Sequence, residues 1–148
     1  MQGISRQTDY AVRTVLHLAS RPEGPAASMG DIGKERRLPS AFVRRFVKKL
    51  VDSGIVATAR GKGGGLRLAR PASDITLLDV VQSTGGIQLN HCVGAPGACA
   101  QAPGCLVRGV WARATAELEK YLSSVRFSDL ATEMNGHSKK MNDRSVIF

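Results

Sequence analysis

All three cysteines of the 148-residue chain fall in one stretch, HCVGAPGACAQAPGC, which runs from His91 through Cys92 and Cys99 to Cys105 with the spacing C-x6-C-x5-C. Nearly everything between the thiols is Gly, Ala or Pro. Such residues bury little apolar surface and break both helix and strand periodicity. The segment therefore has no source of order of its own unless something ties its sulfurs together. Four readings are open: one disulfide with a leftover thiol, three separate buried thiols, zinc held by the cysteines and His91, and an iron–sulfur cluster. Structural zinc sites usually pair ligands about two to four residues apart, whereas iron–sulfur clusters take wider spacings and need thiolates above all. Spacing thus favours the cluster, with one iron left without a sulfur from this chain.

The charge distribution is the second constraint. Residues 1–70 carry fourteen Lys or Arg against five acids, an excess of nine, while residues 71–148 carry seven of each. A basic surface confined to one half of a chain is the electrostatic footprint of a polyanion binder, most often nucleic acid. A membrane-surface protein could share this balance, but an aromatic-rich amphipathic anchor is missing from the sequence. No apolar run reaches about 18 residues, and MQGISRQTDYAVR lacks an apolar stretch behind a basic start, so a cytoplasmic protein is expected. No Ser-His-Asp, Cys-His or paired-carboxylate constellation stands out, which makes an enzyme the least expected class.

Along the chain, Tyr10, Ala11, Val15, Leu18 and Ala19 recur at helical spacing over residues 8–20, and the run Arg21-Pro22-Glu23-Gly24-Pro25 stops the pattern. Ser28, three residues before Asp31, is the expected N-cap of a short second helix, with a turn near residues 37–39. The third helix, residues 40–53, has the sharpest pattern. Phe42, Val43, Phe46, Val47, Leu50 and Val51 occupy one half of the wheel, and Arg44, Arg45, Lys48 and Lys49 the other. A basic half-wheel can be an ordinary solvated face. Following a short helix and a tight turn, it instead suggests a helix-turn-helix whose second member enters a major groove. Gly54 is the expected C-cap.

Two β-prone runs, residues 55–59 and 66–70, flank Arg60-Gly61-Lys62-Gly63-Gly64-Gly65 and read as a hairpin. The order of a nucleotide-binding P-loop is absent. A cationic hairpin behind a helix-turn-helix makes a wing, and Arg60, Lys62 and Arg67 are expected along the phosphates. Together with Ser28, Ser40, Arg44, Arg45, Lys48 and Lys49, they form the candidate DNA-binding set. Thr76 caps another short helix, ending near Thr84-Gly85-Gly86. Beyond the cysteines, Val107, Trp111, Ala114, Leu118, Tyr121 and Val125 make a heptad seam that wants a partner helix, either the same helix of a second subunit or the chain's own domain. Residues 127–130 read as a terminal turn, and the polar stretch after Glu133 as disordered. The division expected is a winged helix-turn-helix domain at 1–84, a cysteine loop at 85–106, a dimerisation helix with terminal turn at 107–131 and a flexible tail at 132–148. The fold class is mainly α with a small β-hairpin.

This order of elements resembles the iron–sulfur winged-helix regulators of the IscR, NsrR and RirA type. The resemblance covers about residues 1–131 and is carried by Thr8-Asp9-Tyr10-Ala11-Val12-Arg13, the wing from Arg60 to Pro71, the segment from Asp74 to Val81 and the three cysteines. It implies a homodimeric transcriptional repressor that binds a palindromic DNA operator under control of a cluster sensing nitric oxide, redox state or iron. IscR-like members place a His three residues after the last cysteine, where this chain has Arg108. NsrR-like members instead use an Asp near the start of the first helix, supplied by the partner subunit to a 4Fe–4S cluster, and Asp9 matches it. The resemblance therefore implies Cys92, Cys99, Cys105 and the partner's Asp9 as ligands, with 4Fe–4S favoured over 2Fe–2S. Asp9 can equally be an ordinary first-turn carboxylate favoured by the helix dipole, and His91 is the other nearby donor. Competing functions are a zinc-stabilised or cluster-free dimeric DNA-binding regulator, and an iron–sulfur electron-transfer protein. The last leaves the one-sided positive charge unexplained.

Overall fold

The structure is a computed structural model that describes residues 4–21, 26–36, 38–95, 97 and 99–144. The expected helix stop at residues 22–25 and the turn residue Arg37 lie outside the described residues. Helix α1 spans Arg6–Ala19, and its N-cap is Ser5, whose hydroxyl accepts from the Thr8 amide. Helix α2 spans Met29–Arg36, and Ser28 accepts from the Asp31 amide at 3.0 Å, as a capping residue should. Helix α3 covers Ser40–Asp52. The α2–α3 turn is tight: the Leu38 amide bonds to the Gly33 carbonyl at 2.7 Å, and a Cβ at Gly33 would stand 3.3 Å from the Leu38 carbonyl oxygen.

The end of α3 sharpens the capping expectation. Ser53 is the C-cap, and Gly54, at φ +68°, is the residue after it. The Gly54 amide bonds to the Val51 carbonyl and the Ile55 amide to the Leu50 carbonyl, which together form a Schellman motif. Leu50 and Ile55, which that motif brings together, are both buried.

Strands β1 (Val56–Ala59) and β2 (Gly65–Leu68) pair antiparallel, with Val56 opposite Leu68 and Ala59 opposite Gly65. β2 also bridges Ala27 on its other side, through Leu66 N to Ala27 O at 2.8 Å and Ala27 N to Leu66 O at 3.1 Å. Gly65 is required there, because at φ +152° a Cβ would meet the Ala27 carbonyl oxygen at 2.7 Å. A short 3-10 turn at Ala72–Asp74 leads to α4 (Leu77–Thr84), which opens on a complete Thr76–Asp79 capping box. One turn of helix, α5, follows at His91–Gly94, then α6 (Leu106–Ser124) and α7 (Phe127–Arg144).

The main core joins α1, α3, the hairpin and α4 through Ala11, Val15, Val43, Phe46, Leu50, Ile55, Leu66 and Val80, all 1% exposed or less. Phe127 and Ala131 of α7 complete it. Tyr10, Phe42 and Phe46 stack edge to face along its α1–α3 seam, with centroids 5.5 and 6.1 Å apart. A small satellite cluster of Val81, Ile87 and Leu122 seats α6 on α4.

Two expectations change here. Residues 127–144 form one helix rather than a terminal turn and a loose tail. No proline interrupts them, Asp129 lies in the first turn, and Phe127, Leu130 and Ala131 pack against the core, giving the helix a nucleus to grow from. The heptad seam is also divided. Trp111, Leu118 and Val125 are half-buried toward the domain, whereas Val107, Ala114 and Tyr121 face out.

Candidate DNA-reading surface and metal centre

The reading surface is built by α3 and the hairpin. Burial of Val43, Phe46, Val47 and Leu50 fixes the roll of α3, so Ser40, Arg44, Arg45 and Lys48 are exposed on its opposite side. Lys48 pairs with Asp52 one turn on at 2.8 Å, an exposed bridge of little stabilising weight. Arg44 and Arg45 make no ion pair among the described residues, so their guanidinium groups are uncommitted. Lys49 departs from this set: its ammonium donates to the Thr84 carbonyl at 3.2 Å, at the C-terminal end of α4. That carbonyl end carries the negative pole of the α4 dipole, which explains why a lysine is drawn there.

Arg60 and Lys62 are exposed in the loop of the hairpin, and Arg67, opposite Ala57, is exposed on β2. Ser28 holds α2 through the Asp31 amide and carboxylate, so its hydroxyl is engaged locally. Arg70, near the hairpin, is also committed, to the Asp74 carbonyl at 2.6 Å and the Asp79 carboxylate at 3.2 Å.

Two further ties hold this head in place. The buried hydroxyls of Thr8 and Thr84 bond at 2.9 Å, linking the start of α1 to the end of α4. Ile75 to Leu77 pairs with Val125 to Phe127 through Leu77 N to Val125 O at 2.9 Å and Phe127 N to Ile75 O at 3.0 Å.

The cysteines lie between α4 and α6. Cys92 is on α5, Cys99 in the connecting loop, and Cys105 is the N-cap of α6. All three are free thiols of intermediate burial. Among the described residues, no three His, Cys, Asp or Glu side chains are gathered closely enough to hold a metal ion. Arg108 bends back along α6, and its Nε donates to the Cys92 carbonyl at 3.2 Å. Asp9, half-exposed in the first turn of α1, accepts from Arg13 Nε at 2.9 Å. That hydrogen bond, with the carboxylate charge behind it, raises the Arg13 pKa above its ordinary value. His91 stands at the start of α5.

Sequence reasoning missed the commitments of Lys49, Arg70 and Arg108. Each is to a backbone carbonyl or a distant carboxylate that periodicity does not reveal. The Asp9–Arg13 pair, by contrast, has the i, i+4 spacing of a helical ion pair and was open to view.

No helix among the described residues is long and apolar enough to cross a membrane. The fold matches several solved structures. CymR (YrzC), the global cysteine regulator of B. subtilis, is 23% identical with a TM-score of 0.70, over 90% of this chain and 98% of that one. IscR of T. potens is 21% identical with a TM-score of 0.72, over 90% and 88%. The oxidized form of Staphylococcus aureus CymR is 23% identical with a TM-score of 0.69, over 88% and 96%. At these identities the likeness is one of fold. The sequence itself matches the model of the Rrf2 family, described as iron-dependent transcriptional regulators, over residues 4–133, and the chain therefore belongs to that family.

Proposed function

We propose that this transcriptional regulator is a homodimeric repressor whose affinity for a palindromic operator is set by an iron–sulfur cluster. Cys92, Cys99 and Cys105 would hold the cluster, and Asp9 of the partner subunit would be the fourth ligand. The observation that carries the reading is the state of the cysteine segment: three uncommitted thiols of intermediate burial in a stretch without an apolar core. Three soft thiolate donors suit the donor set of iron–sulfur iron; the preference for 4Fe–4S rests on the resemblance to NsrR-like regulators alone. When bound, the group supplies one iron with a hard carboxylate ligand, open to nitric oxide, oxygen or iron loss.

The chain's own residues do the rest. Arg44, Arg45 and Lys48 would face the major groove, with Ser40 at its edge, and Arg60, Lys62 and Arg67 would follow the phosphates. The outward stripe of α6, with Leu106, Val107, Val110 and Tyr121 between 52% and 88% exposed, is an apolar surface that a second α6 would cover. That contact would space the two α3 helices about one DNA turn apart. Arg13 holds Asp9 through Oδ2 alone, so Oδ1 would be the oxygen offered to iron, and a carboxylate released from iron keeps a cation beside it on its own helix. Because α1 bonds to α4 through Thr8 and Thr84, a pull on Asp9 acts on the scaffold that orients α3. Control of DNA binding then rests on different operator affinities of the two arrangements.

Anaerobic purification with iron, sulfide and zinc analysis, followed by operator binding before and after cluster removal, tests the proposal. A brown protein with stoichiometric iron that loses operator affinity on stripping supports it. A colourless protein with stoichiometric zinc supports a zinc-stabilised regulator instead. A second reading is a cluster-free dimeric DNA-binding regulator, with which the ungathered ligands among the described residues are also compatible. Metal-free protein with full operator affinity would establish it.

A further inference from the structure

The cysteine segment is held to the rest of the molecule at few points. Its hydrogen bonds are mostly local: Val93 N to Asn90 O, Ala95 N to His91 O, Ala102 N to Cys99 O and Cys105 N to Ala102 O. Helix α5 is a single turn, and its N-cap Asn90 makes no side-chain capping bond. One turn of helix does not stand alone in water, and most of its carbonyls lack an intrahelical partner. Among the described residues of 87–105, the Cys92 carbonyl makes the one hydrogen bond to a side chain, and the donor is Arg108.

Arg108 stands one turn into α6. Helical side chains lean toward the N-terminus, so its stem runs back over the start of the helix, where Cys105 is the N-cap. The 3.2 Å bond from Nε to the Cys92 carbonyl thus joins the turn that bears Cys92 to the helix that begins at Cys105. Cys99 is placed differently. It lies within residues 95–104, and among the described residues of that stretch none has a comparable side-chain hydrogen bond to another element.

We propose that Arg108 is a positioning residue that holds Cys92 beside Cys105 in the metal-free chain, so that two thiols are pre-organised and Cys99 closes the site. The purpose of this arrangement rests on the cluster reading above, but the holding itself is a property of the protein without metal. A charged donor to a carbonyl makes a stronger bond than a neutral one, and the guanidinium keeps further N–H donors beside the segment.

The test uses full-length, metal-free protein carrying Cys99→Ser, equilibrated in mixtures of reduced and oxidised glutathione. The fraction with a Cys92–Cys105 disulfide gives the effective concentration of one thiol at the other. Arg108→Met keeps the apolar stem and removes every donor, and we expect it to lower that concentration about tenfold. Arg108→Lys restores a charged donor and should recover most of the loss. The thermal midpoint should stay unchanged in both, since the main core lies elsewhere. Equal effective concentrations in the Arg and Met proteins would overturn the proposal, as would a Lys protein as deficient as the Met protein. Iron analysis of anaerobic wild-type protein is a separate measurement: a protein without iron ends the cluster reading and leaves the thiol result standing.

Discussion

The reading head and the cysteine segment are held by different physics. The head is closed by burial: Phe46, Leu50, Ile55, Leu66 and Val80 are 1% exposed or less, and the turns around them carry a capping box and a Schellman motif. Among the described residues of 85–105, Ile87 and the partly buried Leu89 contribute to a buried apolar cluster, and the cysteine-bearing part beyond them is held by local backbone bonds and one arginine. A region of the first kind is stable whatever it binds. One of the second kind takes its structure from its ligands or its partner, which suits a place where a signal is received.

Mutations should separate the two regions, and the largest effect is expected in the second. Cys99→Ser should abolish iron incorporation in anaerobic protein while shifting the unfolding midpoint of metal-free protein by no more than about 0.5 kcal/mol. A large loss of metal-free stability would break the comparison. Phe46→Ala should do the reverse and cost about 3–5 kcal/mol in denaturant unfolding, because it empties a fully buried site. Tyr121→Glu, on the outward stripe of α6, should weaken dimerisation at least about tenfold in sedimentation equilibrium, as a charge placed in an apolar contact would. Within the head, Arg44→Ala or Arg45→Ala should each reduce operator affinity about tenfold and lower the salt slope by about one, whereas Lys49→Ala should leave that slope unchanged. The smallest effect expected is Thr84→Val, which removes one buried hydroxyl bond and should cost about 1 kcal/mol by thermal or chemical unfolding.

Much of the head was legible in the sequence because its signals are local and redundant. The spacing of Val43, Phe46, Val47 and Leu50 named both the helix and its buried face, and Ser28 and Thr76 marked helix starts that the structure keeps. The Lys49 bond to Thr84 was hidden because a wheel shows only which side a residue takes. Lys49 stands one heptad from Phe42, at the edge of the apolar face, and its partner Thr84 is 35 residues away. The division of the α6 seam was likewise hidden, since Leu118 turns inward only where the Val81 cluster of α4 lies beneath it. Helix α7 was missed because polar composition was given more weight than the absence of a breaker and the anchoring of Phe127. For the cysteines, spacing indicated the donor chemistry, while Arg108 and its carbonyl acceptor leave no pattern in composition or period.

The pairing of Ile75 to Leu77 with Val125 to Phe127 clamps the C-terminal end of α6 to the head. Its other end begins at Cys105, 19 helical residues away, or about 28 Å at the usual rise. This clamp, with Leu118 and Leu122 on the α4 cluster, holds the C-terminal part of α6, and the start of the helix projects beyond it toward the thiols. A tilt of about 10° at the clamp sweeps Leu106 through about 5 Å over that length, so a small rearrangement among the thiols is matched by only a slight rotation where the rod meets the DNA-reading domain.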